Sequence, residues 1–184
     1  MALTKTPICN FGEKAKDFNL KSIENKQISL NDVAGKNGTL VMFICNHCPY
    51  VKAIIKDLVD DVKYLESLGI KSVAIMSNDV KNYPEDSFEN MISFSKSHDF
   101  SFPYVIDETQ DVAKKYGAVC TPDFFGYNKN LDLQYRGRIR ELKYLKPLRA
   151  GDSDLKKAMK LVSETGNGPK DQIPSMGCNI KWFK

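Results

Sequence analysis

No stretch of this chain approaches the ~20 consecutive apolar residues that a membrane span requires, so no membrane association is expected. Its N-terminus, Met1-Ala2-Leu3-Thr4-Lys5-Thr6-Pro7, lacks the apolar segment of a secretory signal. A cytoplasmic location is therefore expected, where thiols are kept reduced. Basic residues nowhere cluster with interleaved aromatics. The 27 Lys and Arg against 23 Asp and Glu leave a net charge of +4 spread along the chain, which reads as a solvated surface and argues against a nucleic-acid partner. No glycine-rich phosphate loop stands between a strand and a helix, so neither a nucleotide nor another cofactor is expected. Internal repeats and low-complexity segments are also missing. A chain of 184 residues fits one domain, with 1–11 as a mobile lead-in and 166–184 as a C-terminal tail.

Cysteine, by contrast, is plentiful. Five cysteines are present, and an odd number argues against a fully paired structural framework. In a reducing compartment such thiols are more often catalytic or metal-binding than stapling.

Periodicity points to an α/β sandwich with a mixed sheet. Phe18 and Leu20 enter a short strand, Lys26–Leu30 forms a second, and Thr39–Ile44 is an apolar run suited to the centre of a sheet covered on both faces. Val51, Ile54, Ile55, Leu58, Val59, Val62 and Leu65 keep helical spacing, with Pro49 in the first turn and Gly69 past the end. Strands follow at Ser72–Met76 and Phe102–Ile106, and a helix opens with Pro84-Glu85-Asp86 and runs to Ser97. A short helix, Gln110–Tyr116, precedes a hairpin of Asp123–Tyr127 and Leu131–Ile139. Asp152–Glu164 is the last helix.

Cys45-Asn46-His47-Cys48 falls between the central strand and the long helix. A two-residue spacer across a first helical turn brings two Cα atoms within the ~4.4–6.8 Å of a disulfide. Unpaired N–H groups and the helix dipole favour an anion there. Lowering a thiol pKa from ~8.5 to ~6.5 requires about 2.7 kcal/mol, and a helix terminus contributes at most ~2. His47 is the nearest source of the remainder. Cys45 is expected to attack a disulfide and Cys48 to resolve the mixed disulfide. Zinc held by Cys45, Cys48, Cys120 and Cys178 is the rival, disfavoured because Cys120 and Cys178 are isolated rather than a close pair; no metal is expected.

Several segments together resemble the thioredoxin-like superfamily and, within it, a peroxiredoxin-like (AhpC/TSA-type) group. They are Gly12-x-x-Ala15-x-Asp17-Phe18-x-Leu20, Cys45 to Tyr50, Ser77-Asn78-Asp79, Tyr83 to Ser87, Cys120 to Phe125, Tyr135 to Ile139 and Pro174 to Trp182. The resemblance implies a thioredoxin fold, a mixed central β-sheet flanked by helices, with an N-terminal β-extension, an inserted helix at 84–97 and the C-terminal tail. It places Pro122 in a cis-proline loop facing the cysteines, with the Thr121 backbone free to pair with an extended substrate. Thioredoxin's buried acid, six residues before the first cysteine, is replaced by Thr39, so proton handling falls to His47.

The function expected is thiol–disulfide exchange by Cys45 and Cys48, tuned by His47 and Asn46, on a protein or small-molecule disulfide, with a separate electron donor and a monomer or homodimer as the working unit. One alternative is an antioxidant thiol peroxidase acting through Cys48, although the Thr or Ser and the Pro of a peroxidatic motif are here Cys45 and Val41. The other is a non-catalytic binding module. Arg136, Arg138 and Arg140 read as a partly exposed, charged strand edge. Cys120 and Cys178 are candidate accessory thiols, with Trp182 as an anchor for the tail.

Overall fold

A computed structural model of the chain describes residues 3–184. In chain order it contains β1 (Leu3–Lys5), β2 (Asn19–Ser22), β3 (Gln27–Ser29), α1 (Leu30–Val33), β4 (Gly38–Phe43), α2 (Pro49–Ser67) and β5 (Ile70–Met76). A 3₁₀ turn at Pro84–Asp86 leads to α3 (Phe88–Ser97), β6 (Tyr104–Ile106), α4 (Asp111–Tyr116), β7 (Cys120–Thr121) and β8 (Asp123–Tyr127). The chain ends with β9 (Leu133–Tyr135), β10 (Leu142–Lys143), β11 (Lys146–Pro147), α5 (Asp154–Thr165) and β12 (Met176–Asn179).

β4 lies inside a seven-stranded sheet of order β3-β2-β6-β5-β4-β8-β9, parallel to β5 and antiparallel to β8. All six of its residues are buried, as a strand covered on both faces demands. Its side chains alternate between two apolar layers. Leu40 and Met42 pack with the α2 stripe of Val51, Ile54, Leu58, Val62 and Leu65, while Val41 and Phe43 pack with Phe18, Tyr116 and Phe125. The crossovers β4-α2-β5 and β5-α3-β6 return parallel strands, which require such long connections. Among the described residues, no helix is long and apolar enough to cross a membrane.

Three segments differ from expectation. The helix expected over 84–97 is divided at Ser87, whose hydroxyl caps α3 by accepting from the Asn90 amide at 3.3 Å. The strand expected over 131–139 retains regular pairing only at Leu133–Tyr135. Leu3–Lys5, within the lead-in, is a strand hydrogen-bonded to β12, so β12 runs between β1 and β7 in a second sheet of three strands. Ile180 is buried at the end of this tail, whereas Trp182, the expected anchor, is 38% exposed.

Candidate functional site

β4 and α2 place the two cysteines of the motif, and the loop between them holds Asn46 and His47. Cys48 is the N-cap residue of α2 and Pro49 opens its first turn, where the missing amide hydrogen removes no helical bond. Thr121 faces them from the end of β7, joined to Pro122 by a cis peptide bond. Cys45 Sγ lies 3.3 Å from Thr121 Oγ1, and Cys48 Sγ lies 3.2 Å from the Thr121 carbonyl oxygen. Cys178 joins them from β12, its Sγ 2.8 Å from Cys48 Sγ. All three are free thiols, and none is more than 3% exposed.

Electrostatics divide these thiols sharply. The Cys45 thiol, donating toward Cys48, holds the Cys48 thiol down to about 5; burial opposes this, and the Cys178 thiol and backbone amides add to it. Cys45 is pushed well above an ordinary thiol, first because its proton is held in the bond to Cys48 and then by burial. Burial and the same neighbour push Cys178 up to about 12. The first ionisation of this cluster belongs to the cysteine pair as a unit and is lowered by the neighbouring thiol and the amides at the head of α2. Helix geometry alone points to Cys45 as the low-pKa thiol; the tertiary contacts lower Cys48 and raise Cys45 within a pair that shares its first ionisation.

A second network holds the loop. Asp86, fully buried on the 3₁₀ turn, accepts at Oδ1 from the amides of Asn46 (2.8 Å) and His47 (3.3 Å). At Oδ2 it accepts from His47 Nδ1 (2.6 Å) and Asn78 Nδ2 (2.8 Å). Burial opposes ionisation of Asp86, but the His47 and Asn78 bonds outweigh it and the carboxyl stays below its usual range. An ionised carboxylate only accepts, so His47 Nδ1 is the donor. That bond raises the His47 pKa against the effect of burial, and the Asp86 and Cys48 charges raise it further. The ring, 12% exposed, stacks on Tyr83 at 5.8 Å. Asn46 is held by Tyr104, whose hydroxyl donates to Asn46 Oδ1 at 2.8 Å.

A buried acid thus lies beside the motif on the inserted segment, where β4 has none. On β4, Thr39 is a structural acceptor for the Gly35 amide at 3.1 Å. In the sequence, Asp86 and Asn78 fall within two of the motifs but nothing marks either for a role, because Asp86 reads as an ordinary acid in the first turn of a helix. Asn78 also accepts from the Lys181 amide at 2.9 Å, tying the histidine network to the tail.

Other expected residues are placed differently. The backbone edge of Thr121 is occupied, since Cys178 and Thr121 are register partners in the β12–β7 pairing. Pro122 borders a cleft of ≈ 430 Å³, together with Tyr50, Ile54, Arg138, Ile139 and Pro174. Cys120 turns its sulfur toward the Pro122 carbonyl at 3.6 Å, and burial pushes its pKa far up. Arg136 is no exposed edge: it is buried, paired with Asp123 at 3.0 Å, donates to the Gly117 carbonyl at 2.8 Å and lies over the Phe125 ring. The zinc quartet is not assembled. Among the described residues, the metal-type donors gathered within 4.8 Å of one another are those of Cys45, His47 and Asp86, and the Asp86 oxygens already accept four hydrogen bonds.

A mixed sheet with a dithiol at the head of its central helix, facing a cis-proline loop, defines a thioredoxin-fold protein. The chain belongs to the AhpC/TSA family, whose model matches residues 11–142. It is similar to the thiol-disulfide oxidoreductase ResA of Bacillus thuringiensis, with 28% identity over 134 residues, 69% of each chain. Among solved structures, an uncharacterized conserved protein from Geobacillus kaustophilus superposes with a TM-score of 0.93 at 37% identity, covering 100% of this chain and 97% of that one. A hypothetical protein from Sinorhizobium meliloti gives 0.90 at 35% identity, covering 98% of each. A secreted disulfide oxidoreductase of Mycobacterium tuberculosis shares the fold at a TM-score of 0.54 and 14% identity, covering 64% of this chain and 80% of that one.

Proposed function

We propose that this protein is a thiol–disulfide oxidoreductase whose redox pair is Cys45 and Cys48. The observation that carries this reading is the placement of both sulfurs at the head of α2 against the cis-proline loop, Cys45 Sγ 3.3 Å from Thr121 Oγ1 and Cys48 Sγ 3.2 Å from the Thr121 carbonyl oxygen. Thiolate is the attacking species in disulfide exchange, and a lowered first ionisation of the pair favours it.

In the cycle, Cys45 gives its proton to the neighbouring Cys48 and attacks a substrate disulfide. One substrate sulfur leaves as thiolate, and the other stays in a mixed disulfide with Cys45. Cys48 gives its proton to that departed thiolate and attacks Cys45 Sγ; the second substrate sulfur leaves as thiolate and the Cys45–Cys48 disulfide closes. Two electrons have passed to the substrate, and a separate thiol donor returns them. Protonated His47, held by Asp86, favours the thiolate and hence the reduced form, which makes the disulfide more oxidising. Both sulfurs are buried, so a protein disulfide reaches them only after a local opening of the site.

Turnover of insulin disulfides with dithiothreitol as donor tests the reading. Wild-type protein accelerates the reaction, and Cys45→Ser and Cys48→Ser each return it to background. Full activity in either variant refutes the pair.

One observation favours a second reading, thiol peroxidase. The low-pKa thiol falls on Cys48, the position matching a peroxidatic cysteine, with another thiol 2.8 Å away. Against it stand Cys45 and Val41 in place of the peroxidatic Thr and Pro, and Arg136 engaged by Asp123. Stopped-flow mixing with hydrogen peroxide separates the two: oxidation of Cys48 no faster than free cysteine supports the oxidoreductase, and oxidation orders of magnitude faster supports the peroxidase.

A further inference from the structure

We propose that Cys178 is a third redox thiol of this site, with Cys48 as a shared sulfur that forms a disulfide alternately with Cys45 and with Cys178. The proposal rests on the Cys45/Cys48 reading and adds a partner to it.

Placement carries it. Cys178 Sγ stands 2.8 Å from Cys48 Sγ, and the strand pairing that makes Cys178 the partner of Thr121 aims it at the pair. That pairing is closely built. Gly177 packs so tightly on the Thr121 carbonyl that a β-carbon there would collide with it. Ser175 Oγ donates to the Pro122 carbonyl at 2.8 Å, and the Lys181 amide donates to Asn78 Oδ1 at 2.9 Å, so the tail is fixed on both sides of Cys178. Cys120, although adjacent in β7, directs its sulfur to the Pro122 carbonyl and takes no part.

The exchange balances within the chain. Starting from the Cys45–Cys48 disulfide, Cys178 gives up its proton and attacks Cys48 Sγ. The Cys48–Cys178 bond forms as the Cys45–Cys48 bond breaks, and Cys45 departs as thiolate and takes up the released proton. No electrons enter or leave. The protein stays two electrons oxidised, but Cys45 is free and β12 is bonded covalently over the edge of Thr121. In this state β12 is tied to the head of α2 until a donor reduces the bond.

Disulfide mapping of the full-length protein provides the test. Reduced protein is oxidised with one equivalent of diamide, quenched in acid, alkylated with N-ethylmaleimide, digested and analysed by mass spectrometry. The expected products are a Cys48–Cys178 peptide beside the Cys45–Cys48 peptide in wild type, and an intramolecular Cys48–Cys178 disulfide as the main product of Cys45→Ser. Gly177→Val, which pushes β12 off the Thr121 carbonyl, retains Cys45–Cys48 and loses most of the Cys48–Cys178 peptide. If wild type yields Cys45–Cys48 alone and oxidised Cys45→Ser keeps Cys178 free, the third-thiol proposal is overturned while the oxidoreductase reading stands. If Cys48 enters no disulfide in any form, both are overturned.

Discussion

Replacing Cys45 with alanine removes the main support of the Cys48 thiolate, and its effect on titration is large enough to measure. In the reduced wild type, Cys48 is held down to about 5, chiefly by the hydrogen bond from Cys45. A hydrogen bond to a charged acceptor is worth ~1.5–3 kcal/mol, and one pKa unit corresponds to ~1.4 kcal/mol. Cys45→Ala therefore raises the midpoint by roughly one to two units. Cys45→Ser, whose hydroxyl still donates, leaves it nearer wild type. Thiolate absorbance in the ultraviolet, followed against pH on reduced protein, reads this directly, because burial holds Cys9 up at about 11 and Cys178 at about 12, well clear of the first step. The same ionisation acts on stability. A group whose folded pKa is depressed contributes fully above its unfolded value, so the reduced protein loses this contribution as pH falls from about 9 toward about 5. A wild type with no thiolate below neutrality, or an unchanged midpoint in Cys45→Ala, would refute the reasoning.

Other perturbations test the surrounding structure. Asp86→Asn sets an amide against His47 Nδ1 and Asn78 Nδ2 and breaks a buried charged network, for a loss of ~3–5 kcal/mol in urea unfolding. The His47 midpoint, followed by NMR, falls toward ~6.5 in this variant. In wild type, the raised His47 pKa contributes stability that is complete below ~6.5 and is lost as pH rises through the folded value. The lowered Asp86 pKa contributes above ~3.9, and its share is lost as pH falls through the folded value. Arg136→Met leaves Asp123 as an unpaired buried carboxylate and costs ~3–5 kcal/mol in urea unfolding. Its insulin turnover at temperatures where the variant is folded stays close to wild type, and a loss of turnover without a loss of stability would place Arg136 in the chemistry instead.

The chain's own order of residues determined the central strand, the long helix and the motif between them, because these are local and periodic. A six-residue buried run announces a strand covered on both faces, and an apolar stripe at helical spacing announces α2. The junction between them falls at Cys45–Cys48 with no tertiary knowledge needed. Tertiary structure alone decided where the charge rests and what surrounds it. Asp86 meets His47 across 39 residues, Arg136 meets Asp123 across a hairpin, and Cys178 meets Cys48 across 130 residues. Such contacts leave no period in the sequence. A buried acid, arginine or thiol is spelled like an exposed one, and only the folding-back of the chain, which sets burial and hydrogen bonding, separates a solvated side chain from one that holds the charge of the site.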